Sequence, residues 1–150
     1  MKRSLKKIII VDDNASYLSV VRILLKPHYE VYPAPSAAKL FGIIEKFIPD
    51  LILLDINMPE MNGFEAIAVL KENPRYKNIP VIFLTAKDDE DSAVKGIDLG
   101  AADYVTKPFY GPLLLKRISN ILLIEQQNRE LQENIITISQ LNDRLEHEGK

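Results

Sequence analysis

The residues that could do chemistry in this chain are few, and they stand at the ends of short apolar runs. Asp12 and Asp13 follow Lys7–Val11, Asp55 follows Leu51–Leu54, Thr85-Ala86 follows Val81–Leu84, and Lys107-Pro108 follows the weaker run Tyr104–Thr106. Carboxylates placed close together repel one another and take up protons unless a cation offsets their charge. A hard divalent ion does this, and magnesium accepts two carboxylates and a backbone carbonyl while keeping sites for water or phosphoryl oxygens. A carboxylate is also a nucleophile toward phosphorus, with a metal and a lysine neutralising the transferred group. Three carboxylates, one hydroxyl and one ammonium, brought to one place, match that reaction.

Each residue taken singly has a plainer use. Asp12 or Asp13 could cap the first helix, for which Asn14 is an equally good candidate. A lone Thr85 reads as a strand-end hydroxyl, and a lone Lys-Pro carries little meaning. Asp55 is harder to assign to capping, because it stands eight positions before Gly63, where the next helical pattern begins.

The chemistry therefore depends on the elements that would gather these positions. The runs Lys7–Val11, Tyr29–Tyr32, Leu51–Leu54, Val81–Leu84 and Tyr104–Thr106 read as strands, and Leu51–Leu54 lacks the polar alternation of a half-exposed one. Helical spacing lies between them, marked by Leu18, Val21, Ile23 and Leu25, by Leu40, Ile43, Ile44 and Phe47, and by Phe64, Ile67, Ala68 and Leu70. A fourth segment carries Val94, Ile97 and Leu99 after the acidic stretch "DDED", and a fifth begins near Pro112. Five β and five α elements in alternation imply a doubly wound α/β fold, with a parallel sheet and helices on both faces. Ligands of such sheets collect at the carboxyl ends of the strands, where all five candidate positions stand.

Composition narrows the alternatives. A chain of 150 residues with 47% hydrophobic content fits one domain with a modest extension. Its 19 basic and 21 acidic residues give 19 − 21 = −2, so no overall positive field favours nucleic acid or an anionic membrane. The absence of cysteine excludes disulfides and thiolate chemistry, and the two histidines, His28 and His147, leave almost no material for an imidazole metal site. The apolar run in "MKRSLKKIIIVDD" is too short for a signal core, no stretch reaches the length of a membrane span, and the cytoplasm is the default location.

The set "VDDN", "LLDINMPEMNG", "LTAK" and "YVTKPF", in this order and spacing, resembles the receiver domain of bacterial two-component response regulators. The match covers residues 5–124, leaving 125–148 as a helical coiled-coil extension or linker continuous with the fifth helix. The resemblance implies a flavodoxin-like (βα)5 sheet of strand order 2-1-3-4-5. It implies that Asp55 accepts a phosphoryl group from a sensor histidine kinase or phosphotransfer protein. Magnesium, or manganese in its place, would be held by Asp12, Asp13, Asp55 and the backbone carbonyl of Asn57. Thr85, Ala86 and Lys107 would contact the phosphoryl group, the Lys107-Pro108 bond would be cis, and Tyr104 would be the aromatic that turns when Thr85 moves inward. Asn57 and Lys87 would flank the path of the hydrolytic water and tune its rate. In "NMPEMNG", Met58-Pro59 fixes the turn and Gly63 permits a close backbone path.

Two other functions compete. Phosphatases resembling the haloacid dehalogenases use a similar strand-end aspartate but place a second one two residues later, where this chain has Asn57, so turnover is not expected. A scaffold that is never phosphorylated would lack acidic-pocket or lysine residues, and none is missing. No output motif follows the receiver pattern, which leaves a stand-alone regulator or a piece of a longer chain.

After Pro112, the stretch to His147 contains no glycine or proline. Ile124, Leu131, Ile138 and Leu145 recur every seven residues, as in the seam of a parallel homodimeric coiled coil. The second seam position is either Asn128, Ile135 and Asn142 or Gln127, Asn134 and Leu141. The first choice continues back through Ile121 to Leu114 and places asparagines where they favour two parallel strands.

Overall fold

Apolar runs without polar alternation can satisfy both faces only inside a sheet that is covered on both sides, and such a sheet is built. The computed structural model describes residues 4–86 and 90–148. The elements follow in the order β1 (Lys7–Val11), α1 (Ala15–Leu25), β2 (Glu30–Ala34), α2 (Ala37–Ile44), β3 (Leu51–Asp55), α3 (Gly63–Glu72), β4 (Val81–Ala86), α4 (Glu90–Asp98), β5 (Asp103–Lys107) and α5 (Gly111–Glu148). The five strands are parallel and lie in the order β2-β1-β3-β4-β5, the flavodoxin-like arrangement expected. Every residue of β3, the central strand, is buried. Pro33 sits opposite Ile10 in β2 and is tolerated because β2 is an edge strand. No helix among the described residues is long and apolar enough to cross a membrane.

Each face of the sheet has its own core. On one, Ile9, Val11, Ile52, Leu54 and Phe83 pack with Leu40 and Ile44 of α2 and Ala66, Ile67 and Leu70 of α3. On the other, Ile8, Ile10, Leu51, Leu53, Ile82 and Leu84 pack with Val21 and Leu25 of α1 and Leu114, Ile118 and Leu122 of α5. The helix starts are specified locally. Asn14 caps α1 by accepting from the N–H groups of Ser16 and Tyr17, which leaves the neighbouring aspartates free of that task, and Asn62 with Glu65 forms a capping box on α3.

The helices depart from the sequence pattern in several places. Phe47 lies beyond the end of α2, and Ala68 of α3 is exposed where Ala66 is buried. Ile23 of α1 is 73% exposed, because Val21 and Leu25 supply the inward face. The bulky Val94 and Ile97 of α4, and Leu99 just after it, are exposed, and Ala93 and Gly96 are the buried residues. Phe83 is the cause. A Cβ at Gly96 would stand 2.5 Å from its ring, so only a glycine lets α4 reach the sheet there.

The last helix is 38 residues long, about 57 Å at 1.5 Å per residue. Leu114, Ile118 and Leu122 are buried in the receiver core, and beyond Leu122 no residue of known burial is buried. The expected continuation of the seam through Ile121 to Leu114 is therefore corrected. Leu114 is fully buried in its own domain and Ile121 packs against the same core, so the free apolar stripe begins at Ile124. From there Leu131, Ile135, Ile138, Leu141 and Leu145 are all exposed.

Gly63 shows how closely the chain folds back. A Cβ there would lie 2.5 Å from the Asp55 carbonyl oxygen, 2.9 Å from Ile56 Cα and 3.0 Å from the Phe83 ring. Two of those atoms are backbone and cannot swing aside. Gly63→Ala should cost about 2 kcal/mol or more, read as a lower denaturation midpoint at unchanged slope.

Candidate functional site

Register alone lines up the chemistry. Val11 pairs with Leu54, so Asp12 and Asp55 leave neighbouring strands at the same level. Asp55 pairs with Leu84 one position before Thr85, and Ala86 pairs with Lys107. The carboxylate oxygens of Asp12, Asp13 and Asp55 lie within 4.8 Å of one another, with Asp12 and Asp55 buried and Asp13 exposed. Lys107 Nζ donates to Asp12 Oδ2 at 2.6 Å and stands 3.5 Å from Asp55 Oδ1. Asp12 Oδ1 accepts from the Asn14 N–H at 2.9 Å, which fixes its carboxylate on both sides.

The loop after β3 closes the site from below. The Gly63 N–H bonds the Ile56 carbonyl and the Met61 N–H bonds that of Pro59, both at 2.8 Å, while Glu60 takes a left-handed conformation at φ 67°. Met58 and Met61 anchor this loop on the core.

Thr85 is buried, and its Oγ1 has no hydrogen-bond partner among the described residues. A buried hydroxyl without a partner is costly, so it marks a place where a ligand oxygen is wanted. Tyr104 lies opposite Phe83 on β5, two residues before the level of Thr85, and its side chain is exposed. Ala86 is exposed at the end of β4, and Asn57 is exposed just past Asp55. The Lys107-Pro108 bond is cis, as expected. Lys87 lies outside the described residues.

One residue at the site escaped the sequence reading. The ring of Tyr17, in the first turn of α1, lies under Lys107, with Nζ 4.3 Å from its centroid. Its only sequence signal is an aromatic three residues after the Asn14 cap. A crevice of about 730 Å³ elsewhere, lined by Asp50, Lys71, Arg75 and Arg129 near the amino ends of β3 and β4, contains none of the site residues.

Electrostatics suit a cation. Burial first, and then the negative charge of Asp12, push the Asp55 carboxyl up to about 6, against the opposing pull of Lys107 and the Asn57 backbone N–H. Three carboxylates face one ammonium, and the excess negative charge, the hard oxygen donors and the solvent-facing Asp13 fit a magnesium ion held by Asp12, Asp13 and Asp55. Because the folded-state value lies above the ordinary 3.8, the stability of the protonated form is complete below 3.8 and lost as the pH rises through about 6. Without divalent cation, Asp55→Asn should therefore resist denaturant better than the wild type at pH 8, and the difference should shrink toward pH 4. Added magnesium should narrow it at pH 8 by stabilising the wild type.

Known proteins share this geometry. Residues 8–119 match the family model of the response regulator receiver domain. A probable cyclic di-GMP phosphodiesterase of Vibrio cholerae is 40% identical over 146 residues, covering 93% of this chain and 33% of the relative. The phosphate regulon transcriptional regulatory protein PhoB of Pseudomonas aeruginosa is 38% identical over 118 residues, covering 78% of this chain and 52% of that protein. The chain thus spans about a third and about half of the length of these two relatives. The N-terminal signal receiver domain of a two-component response regulator from Bacteroides fragilis superposes with a TM-score of 0.74 at 38% identity, covering 79% of this chain and 98% of that one. Such domains are signalling phosphoacceptors that bind magnesium in an acidic pocket. With the same fold and a family match across most of its length, this chain belongs to the response regulator receiver domains of two-component systems.

Proposed function

We propose that Asp55 is the phosphoacceptor of a signalling switch. The reading rests above all on one observation, the grouping of Asp12, Asp13, Asp55 and Lys107 around the end of the buried strand β3. The donor is a phosphohistidine of a sensor kinase or phosphotransfer protein. An Asp55 carboxylate oxygen attacks phosphorus, the P–N bond breaks, and the imidazole leaves with the electron pair and takes up a proton. Magnesium or manganese, held by Asp12, Asp13, Asp55 and the Asn57 carbonyl, supplies charge neutralisation for the transferred group. Lys107 stands within reach of the same oxygens and adds one positive charge.

Phosphorylation adds about −1.5 to −2 charge and new acceptor oxygens. The buried Thr85 hydroxyl, which lacks a partner among the described residues, donates to one of them, and Ala86 borders the group through the chain end of β4. The exposed Tyr104 ring, on the same sheet face, turns inward as Thr85 is drawn toward Asp55. Catalytic turnover of a substrate is disfavoured because Asn57 stands where a haloacid-dehalogenase-type phosphatase needs a proton-transferring aspartate. Asn57, together with Lys87, instead sets the phosphoryl lifetime.

The output runs through α5. Its free stripe of Ile124, Asn128, Leu131, Ile135, Ile138, Asn142 and Leu145 suits a parallel coiled coil with a second copy, in which Asn128 and Asn142 favour two strands. The choice against Gln127, Asn134 and Leu141 now rests on those asparagines alone.

Two measurements test the proposal. With acetyl phosphate and magnesium, intact-mass spectrometry should find one added phosphoryl group on the wild type and none on Asp55→Asn; equal labelling of the variant rules out Asp55. In sedimentation at tens of micromolar the chain should be a dimer, and Leu131→Asp with Ile138→Asp should make it a monomer. A monomeric wild type would remove the coil.

A further inference from the structure

Among the described residues, the ammonium of Lys107 lies close to Asp12, Asp55 and a group that carries no charge. Besides Asp12 at 2.6 Å and Asp55 at 3.5 Å, it lies 4.3 Å from the centroid of the Tyr17 ring. A cation over an aromatic face is attracted by the ring quadrupole, and more strongly where water is excluded. Here the Lys107 side chain is 15% exposed and Tyr17 is half-buried, so the contact is well shielded.

Tyr17 is itself held. Its N–H donates to Asn14 Oδ1 at 3.2 Å, in the cap that starts α1 immediately after the acidic pair. Its ring meets Phe109 at 6.1 Å with the planes tilted by 49°. Phe109 follows Lys107 by two residues and packs on the core shared by α1 and α5. The ring thus ties the start of α1 to the chain just beyond β5, and Lys107 leaves β5 directly over it.

The consequence follows from direction. A carboxylate binds an ammonium through N–H bonds and uses up donors, whereas a ring face attracts the charge without a directed bond to an oxygen. With Asp12 alone, Lys107 would be drawn toward β1 and its chain left free to turn to water. With Tyr17 beneath it, the ammonium stays beside Asp55 while the N–H groups not given to Asp12 remain available to incoming oxygens.

We propose that Tyr17 is a positioning residue for Lys107, holding its ammonium over the acidic pocket so that it can meet the phosphoryl group on Asp55. The idea rests on the phosphoacceptor reading for its functional part. Tyr17→Leu keeps an apolar side chain against Phe109 but removes the ring, and Tyr17→Phe restores the ring without the hydroxyl. Two readouts apply to both variants. The first needs no phosphate: in proton NMR the Lys107 Cε protons should be shifted upfield by the ring in the wild type and in Tyr17→Phe, and should return to the ordinary lysine position in Tyr17→Leu. The second is the rate of phosphoryl uptake from acetyl phosphate with magnesium, which should fall about three- to tenfold in Tyr17→Leu and stay near wild type in Tyr17→Phe. In a Lys107→Ala background, Tyr17→Leu should add no further loss, since the residue acts through the lysine. An unshifted Lys107 in the wild type, or a Tyr17→Leu loss that persists undiminished without Lys107, overturns the proposal. A wild type that takes up no phosphate overturns the reading of Asp55 instead, and the NMR comparison still decides whether Tyr17 holds the lysine.

Discussion

Two carboxylates held side by side in a buried strand rim are the condition around which the rest of this molecule is arranged. Asp12 and Asp55 come to the same level because β1 and β3 pair in parallel with Val11 opposite Leu54, and neither side chain can reach water freely. The strands cannot slip freely to relieve the repulsion, because a shift of one residue would exchange the side chains of two differently packed cores. One ammonium meets the repulsion in part, and burial first, with the charge of Asp12 after it, still raises the Asp55 carboxyl. An excess of buried negative charge of this kind is unfavourable by itself and favours a hard cation.

The supports of the site are glycine and phenylalanine as much as charge. Phe83 fills the sheet face next to Thr85, and both α3 and α4 approach it through glycines, Gly63 and Gly96, where a single methyl group would collide. Phe64 meets the same ring edge-on at 5.7 Å, and Lys95 of α4 lies 4.6 Å over the Phe64 ring. The helices on this face are therefore seated on one aromatic side chain, two residues from the hydroxyl that faces the site.

On the other face, α5 belongs to two structures at once. Leu114, Ile118 and Leu122 are committed to the sheet, and from Ile124 onward the apolar side chains are exposed, while Glu125, Asn128 and Arg129 still border the crevice at the amino ends of β3 and β4. The rotational setting of the free half is thus dictated by the packed half, since a continuous helix transmits its phase. Arg117, paired with Asp103 of β5 through two hydrogen bonds of 3.0 and 2.8 Å, ties the packed half to the edge strand that carries Tyr104 and Lys107.

The sequence by itself determined the parallel α/β fold and which polar side chains stand at the carboxyl rim of the sheet, because these follow from local pattern: apolar runs of strand length, turn chemistry, and acidic or cationic residues where those runs stop; the strand ends moved by up to two residues, β2 running to Ala34 and β4 to Ala86. It also offered Asn14 as a cap, with two aspartates beside it of the same propensity. Only the tertiary structure decided that Asn14 takes the cap and Asp12 turns to Lys107, because that choice depends on a lysine 95 residues away. It decided likewise that α4 turns its small residues inward, since helical spacing cannot reveal that Phe83 already occupies the space. The start of the free seam at Ile124, and the ring of Tyr17 beneath Lys107, were equally hidden. Each depends on what another element presents across the gap, and a side chain's partner across a sheet is written in the packing of both elements and in the sequence of neither alone.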